Sequence, residues 1–117
     1  MQIEDRVVGD IVVLAVTGEI RLDKGGHVVV RDRVGSLLHQ GRGQLLIDLA
    51  QVSYVDSAGL GELVSSYVTS KNAGGSLKPV NVTKRLKDLL TIAKLVTVFD
   101  TYNTEAAALA SFSSASV

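Results

Sequence analysis

The segment from Gln44 to Gly61, QLLIDLAQVSYVDSAGLG, contains the pattern that decides the fold. Its beginning, Gln44–Leu49, is a short apolar run of the kind found in strands buried on both faces. A loop follows, and Asp-Ser-Ala-Gly-Leu-Gly at 56–61 then opens a helix predicted over Ser57–Ala73. That helix has apolar residues at the spacing of an amphipathic helix: Leu60, Leu63, Val64, Tyr67 and Val68. The segment therefore predicts a buried strand followed by a helix.

Upstream of this segment the sequence predicts a hairpin, a loop and a helix. The β-branched runs Val7–Val8 and Ile11–Val16 are separated by Gly9-Asp10, which predicts a tight hairpin. The second strand is expected to end at Gly18, and the polar segment 18–26 is expected to be an exposed loop. A helix is predicted over His27–Gln40, with one apolar face formed by Val30, Val34, Leu37 and Leu38.

Downstream, strands and helices continue to alternate. A strand is predicted over Leu77–Val82, near a sheet edge or bulged because Pro79 lacks a backbone N–H. Thr83 is expected to cap the next helix, with Leu86, Leu89, Leu90 and Ala93 inward and Lys84, Arg85, Lys87 and Asp88 outward. A short strand at Val96–Phe99 and an Ala-rich helix from Thr104 to Phe112, capped by Asn103 or Thr104, complete the prediction.

The order β-β-α-β-α-β-α-β-α defines the expected fold class. It is an α/β fold with a mixed sheet, in which the N-terminal hairpin is antiparallel and the remainder mostly parallel, packed with about four helices. A length of 117 residues suits one domain, predicted over 1–112, with 113–117 as a frayed tail.

The composition argues against several functional classes. Twelve basic and twelve acidic residues cancel, so neither nucleic acid nor an anionic membrane is an expected partner. The chain has no cysteine, which removes disulfides, thiolate catalysis and Cys-ligated zinc. The N-terminus lacks the pattern of a signal peptide and no apolar run is long enough for a membrane span, so a cytoplasmic location is expected.

No pattern points to catalysis, a metal or a cofactor. A serine-hydrolase elbow needs glycine two residues before the nucleophile, and Val55 stands there. Neither glycine pair has the spacing of a phosphate-binding loop. The carboxylates of Asp23, Asp48 and Asp56 are better explained by turns and caps than by a metal cluster. Local sequence leaves the role of Ser57 open. Ser57 is the N-cap of the helix or, if Asp56 is the cap, its hydroxyl is exposed.

The segment Leu46–Gly61, with the block Asp-Ser-Ala-Gly-Leu-Gly after a strand, resembles the STAS domain, shared by sulfate-transporter tails and anti-sigma factor antagonists. Lys94–Phe99 is similar to another family segment, with Lys94 where the family often has glycine. The resemblance implies that Ser57 is phosphorylated, and that partner contacts come from Asp23, Asp56, Ser57, Ala58, Gly59, Leu60 and Gly61. Gly18-Glu19-Ile20-Arg21 departs from the family's glycine-acidic-aliphatic-aspartate pattern, with Asp23 two places later.

The resemblance implies partner switching by a bacterial anti-sigma factor antagonist that is not itself an enzyme. The unmodified chain is expected to bind a kinase-like anti-sigma factor and so release a sigma factor. The kinase, which supplies the ATP, then phosphorylates Ser57 and the complex dissociates, and a phosphatase resets the system. Two alternatives share the fold: a scaffold subunit of a stress-sensing complex, and an accessory subunit of a lipid-transport ABC complex.

Overall fold

A computed structural model describes residues 2–21, 26–92 and 104–115, and every structural statement below concerns these ranges. The elements in chain order are β1 Gln2–Val8, β2 Ile11–Ile20, α1 Gly26–His39, β3 Gln44–Val55, α2 Ser57–Asn72, β4 Ser76–Val80, α3 Lys84–Ile92 and α4 Glu105–Ala115. Residues 22–25 of the predicted loop lie outside the described residues, as do the predicted strand at Val96–Phe99 and the predicted cap Asn103.

The described strands form one mixed sheet in the order β1-β2-β3-β4. β1 and β2 are antiparallel, from Gln2↔Thr17 to Val8↔Ile11, and the turn between them has Gly9 at φ 61°. β2 with β3 and β3 with β4 are parallel, as expected when a helix connects successive strands. The predicted fold class is therefore confirmed, and β4, which contains Pro79, lies at one end of this strand order.

β1 is much longer than the predicted Val7–Val8. Most of its residues are exposed, so the strand has no buried apolar face for a sequence pattern to reveal. Two adjacent side chains of β1 instead form ion pairs with two helices: Asp5 pairs with Arg33 of α1, and Arg6 pairs with Glu105 of α4. The charged residues also protect an edge strand from pairing with another chain.

β2 and β3 extend beyond their predicted ends, and the expectations that Gly18 ends a strand and that β3 stops at Leu49 are wrong. The pairing of the two strands shifts register between Ala15 and Thr17 and again between Gly18 and Glu19. Gly18 has φ 103°, a conformation open to glycine, and the strand continues through it to Ile20. Each irregularity breaks the alternation of buried and exposed residues. The apolar sequence pattern therefore stops before the strands do.

Helices cover both faces of the sheet. The larger buried cluster joins the β2 and β3 side chains of one face to Val30, Val34 and Leu37 of α1, Leu63 of α2, and Leu86 and Leu90 of α3. A smaller cluster on the other face contains Ile11, Val13, Leu46, Val80, and Ala108 and Phe112 of α4. The predicted inward residues of α1 are thus confirmed, with Leu38 only partly buried.

α2 begins at Ser57 as predicted and ends at Asn72, with the predicted last residue Ala73 as its C-cap, but its buried face differs from the prediction. Leu63 is buried and Val68 is 45% exposed, while Ser66 and Ser70 are buried. The small residues at these positions let the helix approach its neighbours closely, which an apolar-periodicity rule does not register. Thr83 and Thr104 cap α3 and α4 as predicted, accepting from the N–H groups of Leu86 and Ala107. α4 extends past Phe112 to Ala115.

Candidate functional site

The proposed phospho-acceptor lies where β3 passes into α2. Asp56 is the N-cap of α2, with extended backbone (φ −88°, ψ −179°), and its carboxylate accepts the N–H of Gly59 at 2.7 Å. Ser57 is the first helical residue and is exposed. Of the two possibilities left open by the sequence, the structure shows the one in which Asp56 caps the helix and the Ser57 hydroxyl has no capping role.

The end of β2 holds this helix start in place. The Ile20 carbonyl accepts the N–H of Asp56 at 3.2 Å, so the junction between β3 and α2 is bonded to the last residue of β2. Gly59 is buried against the same residue: a Cβ built on Gly59 would stand 2.9 Å from Cγ2 of Ile20 and nearer still to its carbonyl oxygen. Gly59, which the family resemblance places among the partner contacts, is therefore closed off by Ile20 of the chain itself.

Gly61 differs from Gly59 in its surroundings. It is exposed, and a Cβ built there would meet no heavy atom within 4 Å. Ser57 and Gly61 are four residues apart and so lie on the same side of α2. Ala58 and Leu60 are half-buried, with Leu60 packed against the main core cluster. Of the predicted contact residues in the described chain, Ser57 and Gly61 are the exposed ones, and Asp23 lies outside the described residues.

At the ends of β2 and β3, the side chains of Glu19, Arg21 and Tyr54 come together in a way that the sequence did not predict. Tyr54 is 39% exposed, and the guanidinium of Arg21 lies 5.4 Å from the centre of its ring. Glu19, which pairs with Tyr54 across the strands, accepts from Nη1 of Arg21 at 3.3 Å. The i, i+2 spacing of Glu19 and Arg21 could have revealed a shared strand face, but the predicted loop from Gly18 concealed it.

The remaining carboxylates of interest have structural partners. Asp48 accepts from the backbone N–H of Ala50 at 3.0 Å and from the side-chain amide of Asn81 at 3.1 Å. Asp56 caps α2, so the two carboxylates have the turn and cap roles expected of them. Over residues 2–21, 26–92 and 104–115, no group of three His, Cys, Asp or Glu side chains is placed to hold a metal ion. In the same ranges, no helix has both the length and the apolar character needed to cross a bilayer.

Among the described residues, the Glu62 carboxylate of α2 is paired through only one of its two oxygens. Nη1 of Arg31 lies 3.7 Å from Oε1 of Glu62, which links the two helices. The other Glu62 oxygen and the Ser66 hydroxyl are buried, with no hydrogen-bond partner within the described part of the chain. Because these atoms are buried, they belong to the packing of α2 and not to its exposed surface.

Comparisons with known proteins agree with this fold. The sequence matches the STAS domain family over residues 2–108. It is 40% identical over 85 residues to the anti-sigma-B factor antagonist of Bacillus subtilis, covering 73% of this chain and 75% of that protein. The chain therefore belongs to the STAS domain family.

Two solved structures show how closely the fold is shared. An anti-sigma factor antagonist from Mycobacterium paratuberculosis superposes with a TM-score of 0.77 at 23% identity, covering 94% of this chain and 92% of the other. The phosphorylated form of SpoIIAA, a Bacillus cell fate determinant, gives a TM-score of 0.73 at 17% identity, covering 95% and 99%. At these identities the likeness concerns the fold.

Proposed function

We propose that this chain is an anti-sigma factor antagonist that works by partner switching, with Ser57 as its phosphorylation site. In its unmodified form it binds a kinase-like anti-sigma factor, and this frees the sigma factor. The kinase transfers phosphate from its own ATP to Ser57, the complex dissociates, and a phosphatase restores the unmodified chain. The antagonist acts as a ligand and a substrate rather than as an enzyme.

The observation that supports this proposal is that Asp56 caps α2 while Ser57 is exposed. A serine that caps a helix has its oxygen engaged with a backbone N–H, whereas here the Asp56 carboxylate makes that bond. Ser57 is left exposed at the start of a helix whose position is set by the end of β2. A kinase thus meets an accessible hydroxyl at a helix start that is hydrogen-bonded to the sheet.

Nearby hydroxyl groups are less suited to this role. The Thr83 hydroxyl accepts from the N–H of Leu86 at 3.3 Å as the cap of α3 and is half-buried. Ser53 is exposed, but it lies inside β3, between the residues paired with Gly18 and Glu19. Ser53 is therefore the extra residue at a register shift inside a strand, whereas Ser57 lies at the exposed start of a helix.

The energetics favour an effect on binding rather than on folding. A phosphate adds about −1.5 to −2 charges, and the dipole at a helix N-terminus favours negative charge by about 0.3–1 kcal/mol. An unpaired charge forced into an interface costs on the order of 2–5 kcal/mol, which weakens binding from tens- to thousands-fold. Phosphorylation is therefore expected to leave the fold intact and to break the complex.

The experiment that tests the proposal identifies a kinase-like ATPase among the neighbouring genes, combines it with this chain in the presence of ATP, and maps phosphate by mass spectrometry. We expect a single phosphate on Ser57, and none on the Ser57→Ala variant. Phosphate on Ser53 or Thr83 instead would contradict the assignment. If the neighbouring genes encode permease subunits and no such ATPase, the antagonist role is contradicted in favour of a transport subunit.

A further inference from the structure

Three residues contact one another pairwise around the backbone of Ser57. The Ile20 carbonyl accepts the N–H of Asp56 at 3.2 Å, and the Asp56 carboxylate accepts the N–H of Gly59 at 2.7 Å. Gly59 in turn lies against Cγ2 of Ile20, with no room for a side chain between them. Because Ser57 lies between Asp56 and Gly59 in the sequence, the backbone on both sides of the acceptor is held by one residue of β2.

A shift in strand pairing determines which residue of β2 reaches the start of α2. The pairing of β2 with β3 shifts between Gly18 and Glu19, and Ser53 is the extra residue of β3. Ile20 therefore pairs with Val55, the last residue of β3. Without the extra residue, Val55 would stand opposite the arginine that follows Ile20. The register shift thus places an isoleucine, rather than a long charged side chain, beside α2.

Ile20 is not available to a partner protein. The residue is fully buried, and its side chain belongs to the main core cluster. An aliphatic side chain also has no proton to transfer and no charge to place near the reacting atoms. Any influence of Ile20 on Ser57 therefore passes through its contacts with Asp56 and Gly59, and it concerns the position of the acceptor.

The position of the Ser57 hydroxyl matters for phosphate transfer. In that step Oγ of Ser57 forms a bond to the γ-phosphorus of the kinase's ATP, while the bond from that phosphorus to the bridging oxygen breaks. ADP leaves with the electron pair, and the hydroxyl proton passes to a basic group of the kinase. The attacking and leaving oxygens must lie roughly in line. A displacement of about 1 Å from the reactive geometry costs about 100-fold in rate.

We propose that Ile20 is a positioning residue for the phosphorylation of Ser57. By holding Asp56 and Gly59, it fixes the helix start from which the hydroxyl is presented to the γ-phosphate of ATP. This inference rests on the proposed function and names a residue of this chain that controls the rate at the same site. Ile20 acts on the transfer step and not on the affinity for the kinase.

The test compares Ile20→Leu with Ile20→Val. Leucine has nearly the same volume as isoleucine but lacks Cγ2, the atom that lies against Gly59, whereas valine retains it. The kinase is the anti-sigma factor that phosphorylates Ser57 of the wild type. We expect the single-turnover rate constant at saturating kinase to fall at least tenfold for Ile20→Leu and to stay within about twofold for Ile20→Val. The affinity of both variants for the kinase should stay within about threefold of the wild type.

A second variant, a control and an exchange measurement separate positioning from general stability. Gly59→Ala disturbs the same contact from the side of α2 and should also slow transfer. Leu45→Val alters a buried residue of the same core cluster near the opposite end of β3, and should leave the transfer rate unchanged even if it lowers the melting temperature as much as Ile20→Leu does. In Ile20→Leu the N–H of Asp56 should exchange with solvent faster than in the wild type.

The outcomes distinguish this inference from the proposed function. If the wild type is phosphorylated on Ser57 and folded Ile20→Leu or Gly59→Ala reacts at the wild-type rate, the positioning role is wrong and the function stands. A weaker affinity with an unchanged transfer rate overturns the inference, since Ile20 would then affect recognition. Equal slowing by Leu45→Val overturns it too, because the effect would come from stability. If no kinase phosphorylates Ser57 of the wild type, both proposals fail.

Discussion

Gly59 of α2 is packed so closely against Ile20, the last residue of β2, that no side chain fits between them. A Cβ on Gly59 would stand 2.9 Å from Cγ2 of Ile20, with the Ile20 carbonyl oxygen nearer still. The same carbonyl accepts the N–H of Asp56. The residue that precedes Ser57 and the one two places after it are therefore both held by Ile20, which fixes the acceptor serine relative to the sheet.

This relationship predicts opposite effects for two glycines of one helix turn. Gly59→Ala forces its methyl group against the Ile20 backbone and should lower the free energy of unfolding by about 1–3 kcal/mol, the usual cost of overpacking. Gly61→Ala adds a methyl group in open space and should raise it by up to about 1 kcal/mol, since alanine favours a helix. Urea denaturation of both variants measures this. Equal effects would contradict the packing described here.

The cap of α2 gives a prediction about Asp56. Asp56→Ala removes the acceptor for the Gly59 N–H and should cost about 0.5–2 kcal/mol, whereas Asp56→Asn keeps an acceptor and should cost only a few tenths. The same denaturation experiment applies, with Ser57→Ala as the matched control expected to change stability by less than Asp56→Ala. A larger loss in Ser57→Ala than in Asp56→Ala would assign the cap to Ser57 and remove the basis for an available hydroxyl.

Two buried serines of α2 should respond differently to the same substitution. The Ser66 hydroxyl has no hydrogen-bond partner within the described residues, so Ser66→Ala should leave stability unchanged or raise it by about 1 kcal/mol. The Ser70 hydroxyl donates to the Ser66 carbonyl at 2.8 Å, so Ser70→Ala should cost about 0.5–1.5 kcal/mol. Thermal melting of the two variants distinguishes them, and a destabilised Ser66→Ala would show that this hydroxyl is paired in solution.

The sequence predicts the fold where apolar residues recur without interruption. The helix from Ser57 and the parallel pairing of β3 and β4 follow from regular patterns that burial imposes. The extensions of β2 and β3 do not, because the extra residues near Gln51 and Ser53 shift the register and move buried positions off a period of two. The sequence does not predict the full length of β1 for another reason. The strand pairs with β2 through its backbone and contacts α1 and α4 through ion pairs, and no local pattern contains these interactions.

For the site, the sequence supplies the residues but not their division of roles. Either Asp56 or Ser57 is a chemically acceptable cap, and only the backbone at the junction shows which side chain reaches the Gly59 N–H. Gly59 and Gly61 look alike in the sequence, yet one faces Ile20 and the other solvent. Arg21 and Tyr54 are 33 residues apart and meet only through the parallel register of β2 and β3.

The central claim is that charge at Ser57 controls partner binding without altering the fold, and a comparison of Ser57→Ala with Ser57→Asp tests it most directly. The measurement is the affinity of each variant for the kinase-like anti-sigma factor, together with its melting temperature. We predict similar melting temperatures for both, since a carboxylate suits a helix N-terminus. Ser57→Ala should bind like the unmodified chain, and Ser57→Asp at least tenfold more weakly. A Ser57→Asp variant that folds normally and binds as tightly as the unmodified chain would show that charge at Ser57 does not control binding.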